Sequence, residues 1–486
     1  MYYRPHILFI LTDQQRADAL GCAGHPLIKT PHIDRLASEG IRFTHCFTTS
    51  PLCTPTRVSL AMGLYPHNNN QWLGDATVPL DADTYMRRLR QSGYRTASIG
   101  KNHLYPMENC DLYANEPNYH AIGFDHIEDL SGTWGIIAGK SVYTDYLQSL
   151  GLLVPVQQYL KELESKPDEI RRFIAEPLPF PGAEEPADHY IDAFIARRVE
   201  RYVEAYDSDR PSFVYVGFQG PHEPWDAPQR YTDLYNPDSV PDPIPEKRLG
   251  DWLPNRSREY YRFAQYFQPP HPRALKEIAV SYFGKITQID DSVGRILAAY
   301  HKKGWLDETV VIFASDHGEM LGDLGRLSKS VFYESAVRVP LIVKMPNGPR
   351  GEVCDSFVET IDLHATILDC AGAEAWQHQD SKPILPLING QASNNRSDVL
   401  SEVHSHYMLR TDNWKLVIGG DGQTLQLFDL VNDPLEQKNL CGHPDYEQQD
   451  LLCRSQLLTR VASCTFRNSN IDPEYCQHTF PPATHK

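Results

Sequence analysis

Thr309-Val310-Val311-Ile312-Phe313-Ala314-Ser315, followed at once by Asp316-His317-Gly318-Glu319, decides the fold class of this 486-residue chain. The run carries no charge and is rich in β-branched and aromatic side chains. Such a strand has no wet face and belongs inside a parallel sheet covered on both sides. Polar chemistry then appears at its carboxyl end, where open α/β sheets bind ligands. The same grammar recurs three times. His6-Ile-Leu-Phe-Ile-Leu-Thr12 ends in Asp13, Tyr94–Ile99 in Gly100-Lys101-Asn102-His103, and Ser212–Phe218 in Gln219-Gly220-Pro221-His222. Shorter strands are expected over 42–47 and 339–344.

Helical patterns fall between these strands, over 33–38, 84–91, 187–206, 274–303 and 360–371, the fourth with a kink expected near Gly284. This alternation predicts an α/β domain over 1–371 built on a large, doubly wound, mostly parallel sheet. Two irregular stretches, 104–188 and 226–272, read as loops inserted over the sheet, with one helical piece at 156–164. Loops so placed often carry substrate specificity. Beyond residue 372 the pattern changes. Tyr407–Val417 and Thr424–Leu430 alternate like antiparallel strands around Gly419-Gly420-Asp421-Gly422, and a helix is expected over 450–461. A smaller α+β domain with an antiparallel sheet is predicted for 372–486.

The formal net charge is −17, which argues against a nucleic-acid partner or an anionic membrane surface. An anionic substrate must then be held by a local cluster of cations, with or without a metal. No apolar run approaches the roughly 20 residues needed to span a bilayer. The run His6–Thr12 lacks the basic flank and cleavage site of a signal peptide, so a cytoplasmic protein is expected unless a signal was removed before residue 1. The ten cysteines include no C-x-x-C pair and read as scattered reduced thiols.

One further stretch carries chemistry: Ser50-Pro-Leu-Cys53-Thr-Pro55-Thr-Arg57-Val-Ser-Leu-Ala-Met-Gly63. Pro55 suits a first helical turn, where its missing N–H costs nothing. Cys53 and Arg57, one turn apart, share a helix face. A nucleophile and a guanidinium thus meet at a helix N-terminus, whose free N–H groups favour an anion.

Cys53-Thr54-Pro55-Thr56-Arg57 resembles the signature of the type I sulfatases, a branch of the alkaline-phosphatase-like superfamily. Asp13, Gly100-Lys-Asn-His103, Gly220-Pro-His222, Ser315-Asp-His-Gly-Glu319, and Leu416-Val417 with Leu427-Phe-Asp-Leu-Val-Asn-Asp-Pro434 follow in that family's order. The resemblance implies one divalent metal held by Asp13, Asp316, His317 and the oxidised side chain of Cys53. Gln14 stands where a second aspartate is common, and its amide oxygen is a candidate ligand. Hard oxygen donors favour Ca²⁺, with Mg²⁺ or Mn²⁺ as alternatives, and the imidazole of His317 keeps Mn²⁺ in play.

The implied mechanism begins with oxidation of Cys53 to formylglycine (3-oxoalanine) by a formylglycine-generating enzyme. The hydrated aldehyde attacks sulfur while Asp316 accepts its proton. Arg57, Lys101 and the metal neutralise the sulfuryl oxygens. His222 or Lys329 protonates the departing alcohol, and His103 takes the proton whose removal expels sulfate. The expected substrate is a small anionic sulfate ester, first of all a sulfated carbohydrate. Rival readings are a phosphonate monoester or phosphate diester hydrolase of the same superfamily, an aryl or choline sulfatase, and an inactive anion-binding homologue. Lys101 and His103 speak for sulfate over phosphonate. Trp72, Trp225, His404 and His406 are read either as walls of an alcohol pocket or as core and surface residues.

Overall fold

Strand β1 (His6–Asp13) lies inside a nine-stranded sheet, shielded on both faces as its uninterrupted apolar run requires. The computed structural model describes residues 4–75, 77–107, 110–165, 186–245, 272–375 and 379–465. The other strands of the sheet are β2 (Ile41–Phe47), β3 (Arg95–Gly100), β4 (His126–Asp129), β5 (Ser212–Pro221), β6 (Thr309–Ser315), β7 (Arg338–Lys344), β8 (Glu352–Cys354) and β9 (Val358–Glu359). Their order is β4-β3-β5-β1-β6-β7-β2-β8, with β9 also paired to β2. All the pairs from β4 to β6 are parallel, and only β7 runs against its neighbours.

Successive β1 side chains enter opposite cores. Ile7, Phe9 and Leu11 pack with Val58, Met86, Leu89 and Ile367 on one face. Leu8 and Ile10 pack with Ile33, Phe194, Val199 and Ile296 on the other. Helices therefore cover both faces, the doubly wound arrangement. No helix among the described residues is long and apolar enough to cross a membrane. A separate antiparallel sheet contains β10 (Val399–Val403), β11 (His406–Arg410), β12 (Trp414–Ile418) and β13 (Thr424–Asp429), with the helix Glu447–Thr465 beside it.

Several elements differ from expectation. The stretch 104–188 holds more than one helix: Glu116–Ile122, Val142–Ser149 and Leu153–Glu164 are helical, and β4 adds a strand to the sheet. β4 reads His-Ile-Glu-Asp, with no apolar run, because it is an edge strand whose Glu128 pairs with Arg198. The helix expected over 187–206 is interrupted at Tyr190, whose ψ is 149°, giving Pro186–His189 and Ile191–Ala205. The long helix Pro272–Lys303 runs through Gly284 without a break. A Cβ there would lie 3.1 Å from the Ala227 Cβ, so this glycine serves close packing and not a kink.

The strand expected over 407–417 is two strands, β11 and β12, turned at Thr411, whose N–H donates to Trp414 O at 2.8 Å. β10 was hidden because its two-residue turn to β11 is His404-Ser405, at φ 49° and 63°, without the Asn-Gly signal of such hairpins. Of the irregular stretch 226–272, residues 246–271 lie outside the described residues.

Candidate active site

Strands β3, β5, β1 and β6 are consecutive in the sheet and parallel, so their carboxyl ends form one edge. Asp13 ends β1, Lys101 and His103 follow β3, His222 follows β5, and Asp316 and His317 follow β6. The helix Cys53–Met62 points its N-terminus at this edge, with Cys53 as its first residue and Leu52 still extended. Hydroxyls hold the entry to that helix. Thr48 Oγ1 donates to Ser50 O at 2.7 Å and lies 2.8 Å from Thr56 Oγ1. Every residue from Cys53 to Ala61 is buried, so the helix is fixed by its whole circumference.

Arg57 is the hub of the charged cluster and is 2 % exposed. Its Nε donates to Asp316 Oδ2 at 2.8 Å, and its second terminal nitrogen to Asp13 Oδ2 at 3.1 Å. Its first terminal nitrogen donates to Lys101 O and to Tyr215 Oη, each at 2.8 Å. Lys101 Nζ sits 2.6 Å from Asp13 Oδ2. Burial opposes charge on Asp13, but the Lys101, Arg57 and Lys329 cations outweigh it and hold the carboxyl well below the usual carboxylate range.

Four donor groups converge beside this hub: Asp13, Cys53, Asp316 and His317 offer ligand atoms within 4.8 Å of one another, all buried. Cys53 Sγ lies 3.1 Å from His317 Nε2 and 3.6 Å from Asp13 Oδ1. His317 Nδ1 is 2.9 Å from Gly318 O, an acceptor only, so Nδ1 carries the hydrogen and Nε2 offers its lone pair to the cluster. Burial lowers the imidazole pKa and keeps it neutral, the form that binds a metal. Two carboxylates, one imidazole and the side chain at position 53 suit a divalent cation, the chemistry expected from the sequence.

Gln14 extends the cluster outward. Its backbone N–H donates to Asp316 Oδ1 at 3.0 Å, while its side-chain nitrogen donates to Glu223 and Glu319. Its amide oxygen accepts from Lys329 Nζ. Lys329 also donates to His222 Nε2, whose Nδ1 is directed at Glu223 O 2.8 Å away. His103 Nε2 lies 3.2 Å from Thr54 Oγ1. Burial, then Lys101 and Arg57, hold its imidazole pKa well below the ordinary value.

Asp13, Gln14, Cys53, Arg57, Lys101, His103, His222, Asp316, His317 and Lys329 thus gather at this edge. Trp225 is 1 % exposed, inside a core with Tyr235, Ile278 and Phe283. Trp72 meets Tyr407 of β11 edge-on at 5.7 Å, and His404 sits in the turn that precedes that strand. Sequence reading missed Tyr215, Glu223 and Glu319. Tyr215 looks like any apolar strand residue, and its hydroxyl is the only hint. Glu319 and Glu223 adjoin motifs that were recognised, but nothing in one dimension pairs both with Gln14.

The Sulfatase family profile matches residues 5–373, and a profile of the C-terminal region of N-sulphoglucosamine sulphohydrolase matches 322–462. An arylsulfatase of Clostridium perfringens is 27% identical over 474 residues, covering 92% of each chain. An N-acetylglucosamine-6-O-sulfatase of Bacteroides thetaiotaomicron is 25% identical, over 92% of this chain and 85% of its own. Among solved structures, the phosphonate monoester hydrolase of Agrobacterium radiobacter superposes with a TM-score of 0.76 at 24% identity, covering 95% of this chain and 96% of its own. With a family profile spanning three-quarters of the sequence, and a buried group of donors that could hold a cation beside a helix N-terminus, the assignment is plain: the chain belongs to the sulfatase family, as a type I member of the alkaline-phosphatase-like superfamily.

Proposed function

We propose that this chain hydrolyses a sulfate monoester of a carbohydrate, at a formylglycine made from Cys53 by a formylglycine-generating enzyme. The observation that carries the reading is the placement of Cys53 at a helix N-terminus against Asp13, Lys101, His103, His222, Asp316 and His317 from four adjacent strand ends. A bound divalent cation and the hydrated aldehyde together supply an activated hydroxyl nucleophile. Asp13, Asp316, His317 and the oxidised side chain at 53 would hold the cation. Oxygen-rich donors favour Ca²⁺, with Mg²⁺ and Mn²⁺ next. Gln14 joins them if its amide oxygen leaves Lys329.

The chain's own residues do the rest. Arg57 and Lys101 bring positive charge into a dry pocket, where it stabilises developing negative charge by several kcal/mol. Lys329, raised in pKa by the surrounding anions despite burial, is the protonated member of its pair with His222 and supplies the leaving alcohol's proton. His103, held neutral, takes the proton whose loss releases sulfate. The carbohydrate assignment draws on the glucosamine sulfatase among the relatives and on the polar, aromatic stretch that begins after His103.

Parallel kcat/KM measurements on sulfated sugars, an aryl sulfate, choline sulfate and a phosphonate monoester test the reading, with Cys53→Ala as the control. Highest efficiency on a sulfated sugar is expected. Higher efficiency on the phosphonate would overturn the sulfatase reading in favour of the related hydrolase.

A further inference from the structure

The residue after Cys53 makes two bonds of unequal chemistry. Thr54 Oγ1 is 3.0 Å from Gly74 O and 3.2 Å from His103 Nε2. A carbonyl oxygen can only accept, so the single hydroxyl proton goes to Gly74 and a lone pair is left for the ring. His103 Nε2 must then carry the hydrogen. A neutral imidazole has one N–H, which leaves Nδ1 bare. That nitrogen is sealed from solvent and has no hydrogen-bond partner among the described residues. His103 is also held at φ 56°, a left-handed conformation that is strained for a non-glycine residue and persists only where the surroundings impose it.

We propose that Thr54 is a positioning residue, which through the chain Gly74 O–Thr54 Oγ1–His103 Nε2 fixes the tautomer of His103 and leaves Nδ1 as its basic atom. The proposal rests on the reading of His103 as the group that accepts a proton during sulfate release. It adds the atom that does so and the reason. A proton taken by the ring forms a new N–H at Nδ1, while Thr54 continues to accept from Nε2, so no side chain has to turn between the two protonation states. An orphaned, buried acceptor is otherwise costly, and a base awaiting its proton accounts for it.

The test is long-range ¹H–¹⁵N correlation NMR on protein labelled with ¹⁵N-histidine, with His103→Gln identifying the resonances. The wild type and Thr54→Ser should show a protonated Nε2 and a bare Nδ1. Thr54→Val should show mixed tautomers, and its kcat should fall about 10- to 100-fold at nearly constant KM, expressed per oxidised Cys53 measured by mass spectrometry. Thr54→Ala provides a second hydroxyl-free variant should the valine variant fold poorly. A hydroxyl-free variant that keeps the wild-type tautomer, or loses it with kcat intact, overturns the proposal. So does a wild-type ring protonated at Nδ1. The underlying reading fails separately, if His103→Gln turns over normally.

Discussion

Arg57 Nε donates to Asp316 Oδ2 across 2.8 Å, which ties the first turns of the Cys53 helix to the carboxyl end of β6. The same guanidinium reaches Asp13 at the end of β1, so one planar cation sets the spacing of two carboxylates and of the nucleophile position. A lysine cannot reproduce that fork. Arg57→Lys is therefore expected to leave a buried carboxylate short of a partner and to cost about 3 kcal/mol of stability by denaturant unfolding. Its kcat/KM should fall at least about 100-fold, because charge on the sulfuryl oxygens is also lost.

Lys329 and His222 share a hydrogen bond at the far side of the cluster. Removing a proton donor matters in proportion to how badly the leaving group needs the proton. Lys329→Ala should thus slow hydrolysis of an alkyl or sugar sulfate by about 10²- to 10⁴-fold, and that of a nitrophenyl sulfate by less than about tenfold. Equal losses on both substrates would count against its role as the acid.

Asp13, Cys53, Asp316 and His317 present converging donors from three elements. Dialysis against a chelator should abolish turnover and lower the melting temperature. Added Ca²⁺ at about 100 times its Kd should restore about 2.7 kcal/mol. In Asp316→Asn the Ca²⁺-dependent shift in melting temperature should shrink or vanish, a readout that does not depend on activity. Restoration by Mn²⁺ but not Ca²⁺ would reassign the ion.

A pH effect should arise away from the site. Asp290 is buried in the helix Pro272–Lys303, and its carboxylate oxygens accept from Ile33 N at 2.7 Å and His32 N at 3.1 Å. Burial, with Asp291 and Asp34 nearby, pushes its pKa up to about 7 despite those two bonds. An acid whose folded pKa lies above its unfolded value binds more protons when folded, so this group's contribution to stability declines as pH rises from about 4 to about 7. The slope is at most about 1.4 kcal/mol per pH unit. Asp290→Asn loses one of the two accepting oxygens and should be less stable at pH 4, but its stability should fall less steeply across that window. Melting curves of both proteins at several pH values decide the point.

How much of this was legible in one dimension follows from what each residue's neighbours are. β1, β5 and β6 lie inside the sheet, so burial on both faces leaves an unbroken apolar run in the sequence. The polar residues after them stand out by contrast, and for that reason Asp13, His222, Asp316 and His317 are legible as candidates in the sequence. β4 has a sheet neighbour on one side only and carries Glu128 and Asp129, so no apolar run marks it. The direction of β7 was not visible, because a buried antiparallel strand has the same composition as a parallel one. Tyr215, Glu223 and Glu319 reach the site through bonds to residues 158 to 305 positions away, which no spacing rule reaches. Gln14 stands out in the sequence as a neutral residue where a second aspartate is common, but the two carboxylates that hold its amide are seen only in three dimensions.

All of these expectations depend on the chemical state of one side chain. On the proposed function, a thiol at position 53 would leave only an anion pocket, and an aldehyde would make that pocket a catalyst. The tryptic peptide Phe43–Arg57 contains Cys46 and Cys53, of which only Cys53 is at the helix N-terminus beside Asp13 and His317. Mass spectrometry of this peptide, from protein made in its native host, should show one thiol at Cys46 and the mass of an aldehyde in place of the thiol at Cys53. The full thiol mass at both positions, in protein that still binds sulfate esters without turning them over, would contradict the account.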